Sequence, residues 1–334
     1  GVPRRVTPRV ARRRRATPAP RAEVAGVATF GAMSDRLPFS FELFPPRDAA
    51  ASDTLDAALA RLVAAGPAFV SVTYGASGST RDGSLAVLRQ LLAAGAPPMA
   101  HLTCVGLTVR EASVLVRQFL DAGITRFLAL RGDPPADGAP LGDLGSAGEL
   151  VQLIHRVEAE RAPYAEIAAG GRSIVTERPR HVDVAVAAFP NGHPGSGPRG
   201  ARHDVDALLA KQAAGATMAI TQLFFDPYDY ERFLDLARAR GVTIPIVPGI
   251  IVPDSARRLV RAAELANERP PAALLAALDD ASAEDAERIG IDATVALVDE
   301  LRHLVPSIHL YTFNRHRAAL EVLRGVGSIA GASA

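Results

Sequence analysis

REASVLVRQFLDAGITRFLALRGDPP, residues 110–135, sets the fold. Its first half is patterned as a helix. Gly123 then stands where helices characteristically stop. A short apolar run follows, RFLALRG (126–132), which has strand composition and ends on charge and two prolines. Helix, glycine and strand make one unit, and the unit repeats. Strand-like runs are PFSFELF (38–44), AFVSVTYG (68–75), MAHLTCV (99–105), RFLALRG, VDVAVAAF (182–189), MAITQLFF (218–225), IPIVPGII (244–251) and SIHLYTF (307–313). Between them lie helical stretches such as TLDAALARLVAAG, SLAVLRQLLAAG and DVDALLAKQAAG, with Gly66, Gly95, Gly215 and Gly241 at further stops. Alternating strands and helices imply a parallel sheet. Eight units in one series predict an α/β fold closed as a (β/α)8 TIM barrel. No GxGxxG follows the first strand, which speaks against a dinucleotide-binding open sheet. Residues 268–306 supply extra helices between strands seven and eight.

The 334 residues exceed the ~250 that such a barrel commonly needs. Cys104 is the single cysteine, which rules out an intrachain disulfide framework and argues against a structural zinc site. The eight histidines show no metal-ligand spacing, so no metal is expected. Apolar runs are too short to span a bilayer, and the aromatic and basic interleaving of a nucleic-acid surface is missing. These features predict a cytoplasmic protein with no membrane and no nucleic-acid partner.

Charge is unevenly placed. Residues 1–22 hold eight arginines and no acid, and the chain beyond residue 32 carries −6 against +1 overall. Residues 1–32 are expected to be a disordered basic leader. They could be a nucleic-acid arm or a targeting peptide. They could also be a translated leader upstream of a start at Met33, with 33–334 as a single catalytic barrel. An RNA-binding role for the tail predicts steep salt dependence that is lost on deleting it.

In a TIM barrel, chemistry sits at the C-terminal ends of the strands. Those ends carry Glu42; Thr73 and Tyr74; His101 and Cys104; Arg131, Gly132 and Asp133; Phe189 and His193; Thr221 and Gln222; Tyr311, Asn314 and Arg315. Buried polar groups are costly unless satisfied, so a ring of them points to a polar ligand. Glu42, between phenylalanines and two prolines, is either a desolvated general acid or a rim carboxylate paired with an arginine. Arg131 and Asp133 are either a salt bridge on one side of a strand or charges aimed at a ligand. Lys211 is the only lysine among 37 basic residues, seven residues beyond Asp204 on a predicted helix. It is either a phosphate partner, where a compact ammonium matters, or a chance survivor. His101 and Cys104 read as core residues, and His193, in a Gly/Pro loop, as functional.

Together the motifs resemble one family closely, methylenetetrahydrofolate reductase. They are FSFELFPPR (39–47), FVSVTYGASGSTR (69–81), HLTCVG (101–106), LALRGDPP (128–135), AAFPNGHP (187–194), AITQLFFD (219–226), IPIVPGI (244–250) and HLYTFNR (309–315), in the family's order. The resemblance implies FAD at the strand ends and a ping-pong reaction. NADH or NADPH reduces the flavin, which then reduces 5,10-methylenetetrahydrofolate to 5-methyltetrahydrofolate in one-carbon metabolism and methionine synthesis. By motif, Glu42 resembles the acid that opens the folate ring, and Asp133 the anion near the flavin. Tyr74, Ala76, His101, Arg131, Gly132, Ala147, Phe189, His193, Asp204 and Lys211 match flavin contacts, with Lys211 and Arg131 nearest the phosphates. Thr73 and Gln222 match positions that meet nicotinamide or pterin; Arg258 and Tyr311 fall in the substrate set, and Arg315 suits the glutamate tail.

Several positions depart from the family pattern. Phe189 replaces a usual tyrosine, Asn191 stands where an acid is common, and Arg258 stands where an amide is typical. The chain ends soon after the barrel, so control by adenosylmethionine is not expected. Expected partners are the small-molecule substrates and further copies of the chain. The competing readings are a proline dehydrogenase-type flavin barrel and a flavin-free folate-binding homologue.

Overall fold

The computed structural model describes residues 36–46, 48–73, 81–133, 142–161, 182–193 and 200–330. Contacts divide the chain into Gly1–Ala32 and Met33–Ala334, and every described residue belongs to the second unit. The strands are β1 (Phe39–Leu43), β2 (Val70–Val72), β3 (Pro98–Thr103), β4 (Arg126–Leu130), β5 (Asp183–Ala188), β6 (Met218–Thr221), β7 (Ile246–Val247), β8 (Gly249–Ile251) and β9 (Ile308–Tyr311). All pairings are parallel, in the order β7-β6-β5-β4-β3-β2-β1-β9-β8.

Nine strands still make eight staves. Only Pro248 separates β7 from β8. Proline has no N–H to give a ladder, so the seventh run breaks there. Its first half pairs with β6 and its second with β9, which closes the (β/α)8 barrel. The Pro248 carbonyl still accepts a hydrogen bond from His309 N–H, at 2.9 Å.

Helices α1 (Ala49–Ala64), α2 (Arg81–Ala93), α3 (Val109–Asp121), α4 (Ala147–Arg161), α5 (Gly200–Ala213), α6 (Pro227–Ala239) and α7 (Ala256–Ala266) alternate with the strands. The extra material before the last strand forms α8 (Ala272–Asp279) and α9 (Ala283–Leu301), and α10 (His316–Gly325) follows β9. Their ends are locally encoded. Thr108 and Glu111 form a reciprocal capping box at α3, and Asp226 caps α6 with Pro227 in its first turn. Residues 162–181, between α4 and β5, lie outside the described residues.

Side-chain alternation along the strands builds two cores. Phe41, Leu43, Val70, Val72, Leu102, Phe127 and Val184 belong to the large cluster shared with the helices. Phe69, Met99, Leu128, Ala185, Ile220 and Val247 form a separate apolar layer from the other strand face, inside the barrel. Continuing along that inner face, the residues turn polar. Ser40, Ser71 and His309 come first, with Ser40 Oγ 2.8 Å from His309 Nδ1 and Ser71 Oγ 3.5 Å from Nε2. Glu42, Thr73, His101 and Tyr311 lie two residues further along the same strand faces.

Candidate active site at the barrel mouth

Glu42 is 8% exposed and His101 5%. Their side chains meet with Glu42 Oε2 3.5 Å from His101 Nε2. The distance suits an ion pair, but the electrostatics do not. Burial pushes the Glu42 carboxyl up to about 8 and pulls the His101 imidazole down to about 3. Both groups are therefore neutral near pH 7, and this is an uncharged contact. His309, below them, is also lowered to about 3, first by burial and then by His101. Among the described residues no charge is paired with a Glu42 carboxylate, and burial leaves Glu42 holding its proton. The alternative of an arginine partner for Glu42 is not found among the described residues.

Among the described residues, two buried atoms at this mouth have no hydrogen-bond partner, His101 Nε2 and Thr73 Oγ1. Orphans of this kind are rare in folded proteins, and these two are open to the polar atoms of a ligand. His101 is thus not the satisfied core histidine that its strand position suggested. Tyr311 does have a partner. Its hydroxyl donates to the Thr221 carbonyl at 2.7 Å, and burial raises its pKa, with Glu42 adding to the effect. Gly249 makes room for this ring: a Cβ there would lie 2.5 Å from the ring's Cε2 and 2.2 Å from the Thr221 carbonyl.

A second group gathers at the ends of β4 and β5. Arg131 and Asp133 are exposed, and no ion pair joins them among the described residues. Between them Gly132 has φ +86°, and a Cβ there would strike Val105 Cγ1 at 2.5 Å. The backbone therefore turns with a left-handed kink that only glycine takes easily. His193 lies within electrostatic reach of Arg131, Asp204, Asp133 and Lys211; burial lowers it most, and Arg131 adds to that. Its backbone N–H donates to buried Asp204 at 3.0 Å, and its ring meets Phe189 edge to face at 4.7 Å. Lys211 Nζ donates to the Ala187 carbonyl at 2.9 Å. Burial lowers the ammonium to about 8, with Asp204 opposing, so it remains mostly charged at pH 7. Arg131 and Lys211 can hold an anionic cofactor. Ala147 is buried at the start of α4, and Cys104 packs in the outer core. Tyr74 and Ala76 lie outside the described residues.

The substrate-side residues form a third group. Gln222 is half-buried and its side-chain oxygen accepts from Leu223 N–H at 2.9 Å. Arg258 and Arg315 come together on Asp254, a residue the sequence reading missed. The signal was present as an Asp–Arg spacing of i,i+4 at a helix start. Asn314 was placed at the rim without a role. Its side chain accepts from Phe44 N–H at 2.8 Å and donates to the Phe44 carbonyl at 2.9 Å, tying the end of β1 to the segment that follows β9.

The fold and the mouth define a class: a (β/α)8 barrel with a neutral buried acid and unpaired polar atoms at the C-terminal ends of its strands. The family model described as methylenetetrahydrofolate reductase matches residues 31–327, and the chain belongs to that family. It is 33% identical to 5,10-methylenetetrahydrofolate reductase of Escherichia coli K12 over 293 residues, covering 86% of this chain and 90% of that one. It is 31% identical over 313 residues to a probable methylenetetrahydrofolate reductase (NADH) of Oryza sativa subsp. japonica, covering 89% of this chain and 49% of that one. A protein from Clostridium thermocellum, solved with two copies of 5-methyl-5,6,7,8-tetrahydrofolic acid, shares the fold. Its TM-score is 0.57 at 11% identity, over 88% of this chain and 94% of that one.

Proposed function

We propose that this chain reduces 5,10-methylenetetrahydrofolate to 5-methyltetrahydrofolate with FAD as its redox group and NADH or NADPH as electron source. Family membership supports the folate reaction. The observation that carries the mechanism is the neutral Glu42 carboxyl, buried at the mouth where His101 Nε2 and Thr73 Oγ1 lack partners.

The residues present fit a flavin. Unpaired Thr73 Oγ1 and His101 Nε2 are available to ring heteroatoms, and Arg131 and Lys211 to phosphates. When bound, the flavin supplies a two-electron carrier between nicotinamide and folate.

The substrate's five-membered ring opens only if the leaving nitrogen gains a proton. Glu42 holds that proton at neutral pH. Giving it up leaves a carboxylate in a desolvated site, which is unfavourable alone. Ring opening creates an iminium cation at the same moment, and the new carboxylate faces a new positive charge. Asp133 carries a second carboxylate at the end of β4, not committed to Arg131, and can stabilise the same cation. The methylene carbon is then a hydride acceptor.

An anaerobic absorbance titration tests this reading. Adding NADH should bleach the flavin band, and methylenetetrahydrofolate should restore it. Bleaching without recovery would move the substrate elsewhere. The lack of any flavin band after adding FAD would refute the redox role.

A further inference from the structure

Backbone pairing between β1 and β9 runs from Phe39 with Ile308 to Glu42 with Tyr311, so Glu42 is the last residue of β1 in that pairing. The ladder cannot go on. Phe44 is followed by Pro45 and Pro46, which have no N–H to give. On the β9 side the backbone turns away, with φ +48° at Phe313 and +61° at Asn314. Neither is glycine, and such residues rarely take left-handed angles, least of all in succession. Arg315 N–H closes the turn on the Thr312 carbonyl at 2.8 Å.

Side chains carry the pairing further. Thr312 Oγ1 donates to the Glu42 carbonyl at 2.6 Å and accepts from Asn314 N–H at 3.1 Å. The Asn314 amide takes both backbone groups of Phe44. Its Oδ1 accepts from the N–H at 2.8 Å, and its Nδ2 donates to the carbonyl at 2.9 Å. One side-chain amide thus does what a facing peptide does in a ladder. The Phe313 ring, carried by the same turn, stacks on Phe44 at 5.7 Å and 10°. Strained backbone persists only where its surroundings hold it, and it gathers at functional sites. Here the strain brings the amide onto the exit of β1. Glu42 is therefore fixed by strand pairs up to its own position and by Thr312 and Asn314 from there on. Side chains alternate along a strand, so a twist at a loose strand end would swing Glu42 away from His101 and out of the mouth.

We infer that Asn314, with Thr312, is a positioning residue for Glu42: its amide continues the β1–β9 pairing past the last backbone pair and holds the acid facing into the mouth. This rests on the reading of Glu42 as the acid of the folate reaction.

Asn314→Gly is the test, because glycine accepts φ +61° while both side-chain bonds are lost. In the protein without cofactor, hydrogen exchange at the Phe44 amide should speed up by about tenfold or more. In the folate half-reaction, the maximal rate should fall by about 10²-fold and the half-saturating substrate concentration should change by less than about threefold. Asn314→Asp can still accept from Phe44 N–H but cannot donate to its carbonyl, and should lose about tenfold. Added to Glu42→Gln, Asn314→Gly should cost less than about threefold more, since the acid it positions is gone. A full further loss in that background, or a loss carried by substrate affinity, would show that Asn314 serves another group and would overturn the inference. An unchanged Phe44 exchange rate would do the same. If Asn314→Gly does not fold, Thr312 decides: Thr312→Val should lose about tenfold in the maximal rate and Thr312→Ser should keep it. Equal rates for both and the parent would overturn the inference. A parent protein that does not turn over methylenetetrahydrofolate sinks the folate reading and the inference with it, whereas the other failures leave that reading standing.

Discussion

Glu42 and Asp254 are both carboxyls near strand ends, and each meets nitrogen bases, yet they handle charge in opposite ways. Glu42 lies inside the mouth, 3.5 Å from an imidazole that burial has made neutral, and it keeps its proton. Asp254 lies at the rim and is ion-paired to two arginines whose outer faces reach water. Desolvation decides the difference. A nearly enclosed site strips charge from acid and base alike, and so stores a transferable proton. A site open on one side leaves both arginines ion-paired to Asp254 with their outer faces in water. At one barrel end, depth thus separates an uncharged buried acid from an ion-paired carboxylate.

The strongest attempt to break this contrast is Glu42→Gln. The amide keeps shape and neutrality but has no proton to give. The folate half-reaction should fall by about 10³-fold, while NADH still bleaches the flavin at close to the parent rate. Stopped-flow measurement of the two half-reactions separates the cases. Equal loss in both would mean that Glu42 supports the site without acting as an acid.

The same substitution sharpens the contrast through pH. Folding raises the Glu42 carboxyl from 4.5 to about 8. The native state therefore holds this proton more tightly than the unfolded chain between those values, and stability declines as pH rises across that window. Glu42→Gln should remove that decline and melt at a higher temperature than the parent at pH 8.5. The parent's folate step should also slow above about pH 8, where the acid form disappears. Parallel Tm-against-pH curves for the two proteins would show that the mouth does not desolvate Glu42.

Gly249→Ala probes the wall between the two regions. The added methyl meets the Thr221 carbonyl and the Tyr311 ring, one backbone and one fixed aromatic. Overpacking of this kind costs about 1–3 kcal/mol. Chemical denaturation should show that loss. Folate turnover should fall with it as Tyr311 is displaced from Thr221. An unchanged midpoint would mean that the wall can yield.

Much of this was legible in the sequence, and the reasons are physical. Strand runs such as RFLALRG and glycine stops such as Gly123 are local signals, so the barrel and its eight staves could be read directly. Pro248 shows the limit. Its missing N–H splits a stave that composition alone reads as one run. The burial of Glu42 was readable as one of two alternatives, because its apolar neighbours are adjacent in sequence. The ion-pair cluster at Asp254 was not, since Arg315 is 61 positions away and only folding joins them. The state of His101 was equally hidden, because whether a strand histidine has a partner depends on residues from other strands. For Arg131 and Asp133 the spacing allowed a salt bridge, but the kink at Gly132 separates what an extended strand would align.

The smallest effect expected is at Asn191, where the family pattern favours an acid. Its side-chain nitrogen donates to Asp229 at 2.9 Å and to Glu268 at 3.0 Å, and its oxygen accepts from Arg232 at 3.1 Å. The amide thus bridges two carboxylates, and Glu268 is raised by burial with Asp229 adding to the shift. Asn191→Asp would delete both donors and set a third carboxylate among them. In the mouth such a change would be severe. At this exposed position water screens the repulsion, and the loss should be about 1 kcal/mol at low salt. It should shrink in 1 M salt, and also on lowering the pH, where the acids take up protons. Urea denaturation at two salt concentrations measures it. A loss several times larger and insensitive to salt would show that this part of the rim is as desolvated as the mouth, and depth would no longer explain the division between them.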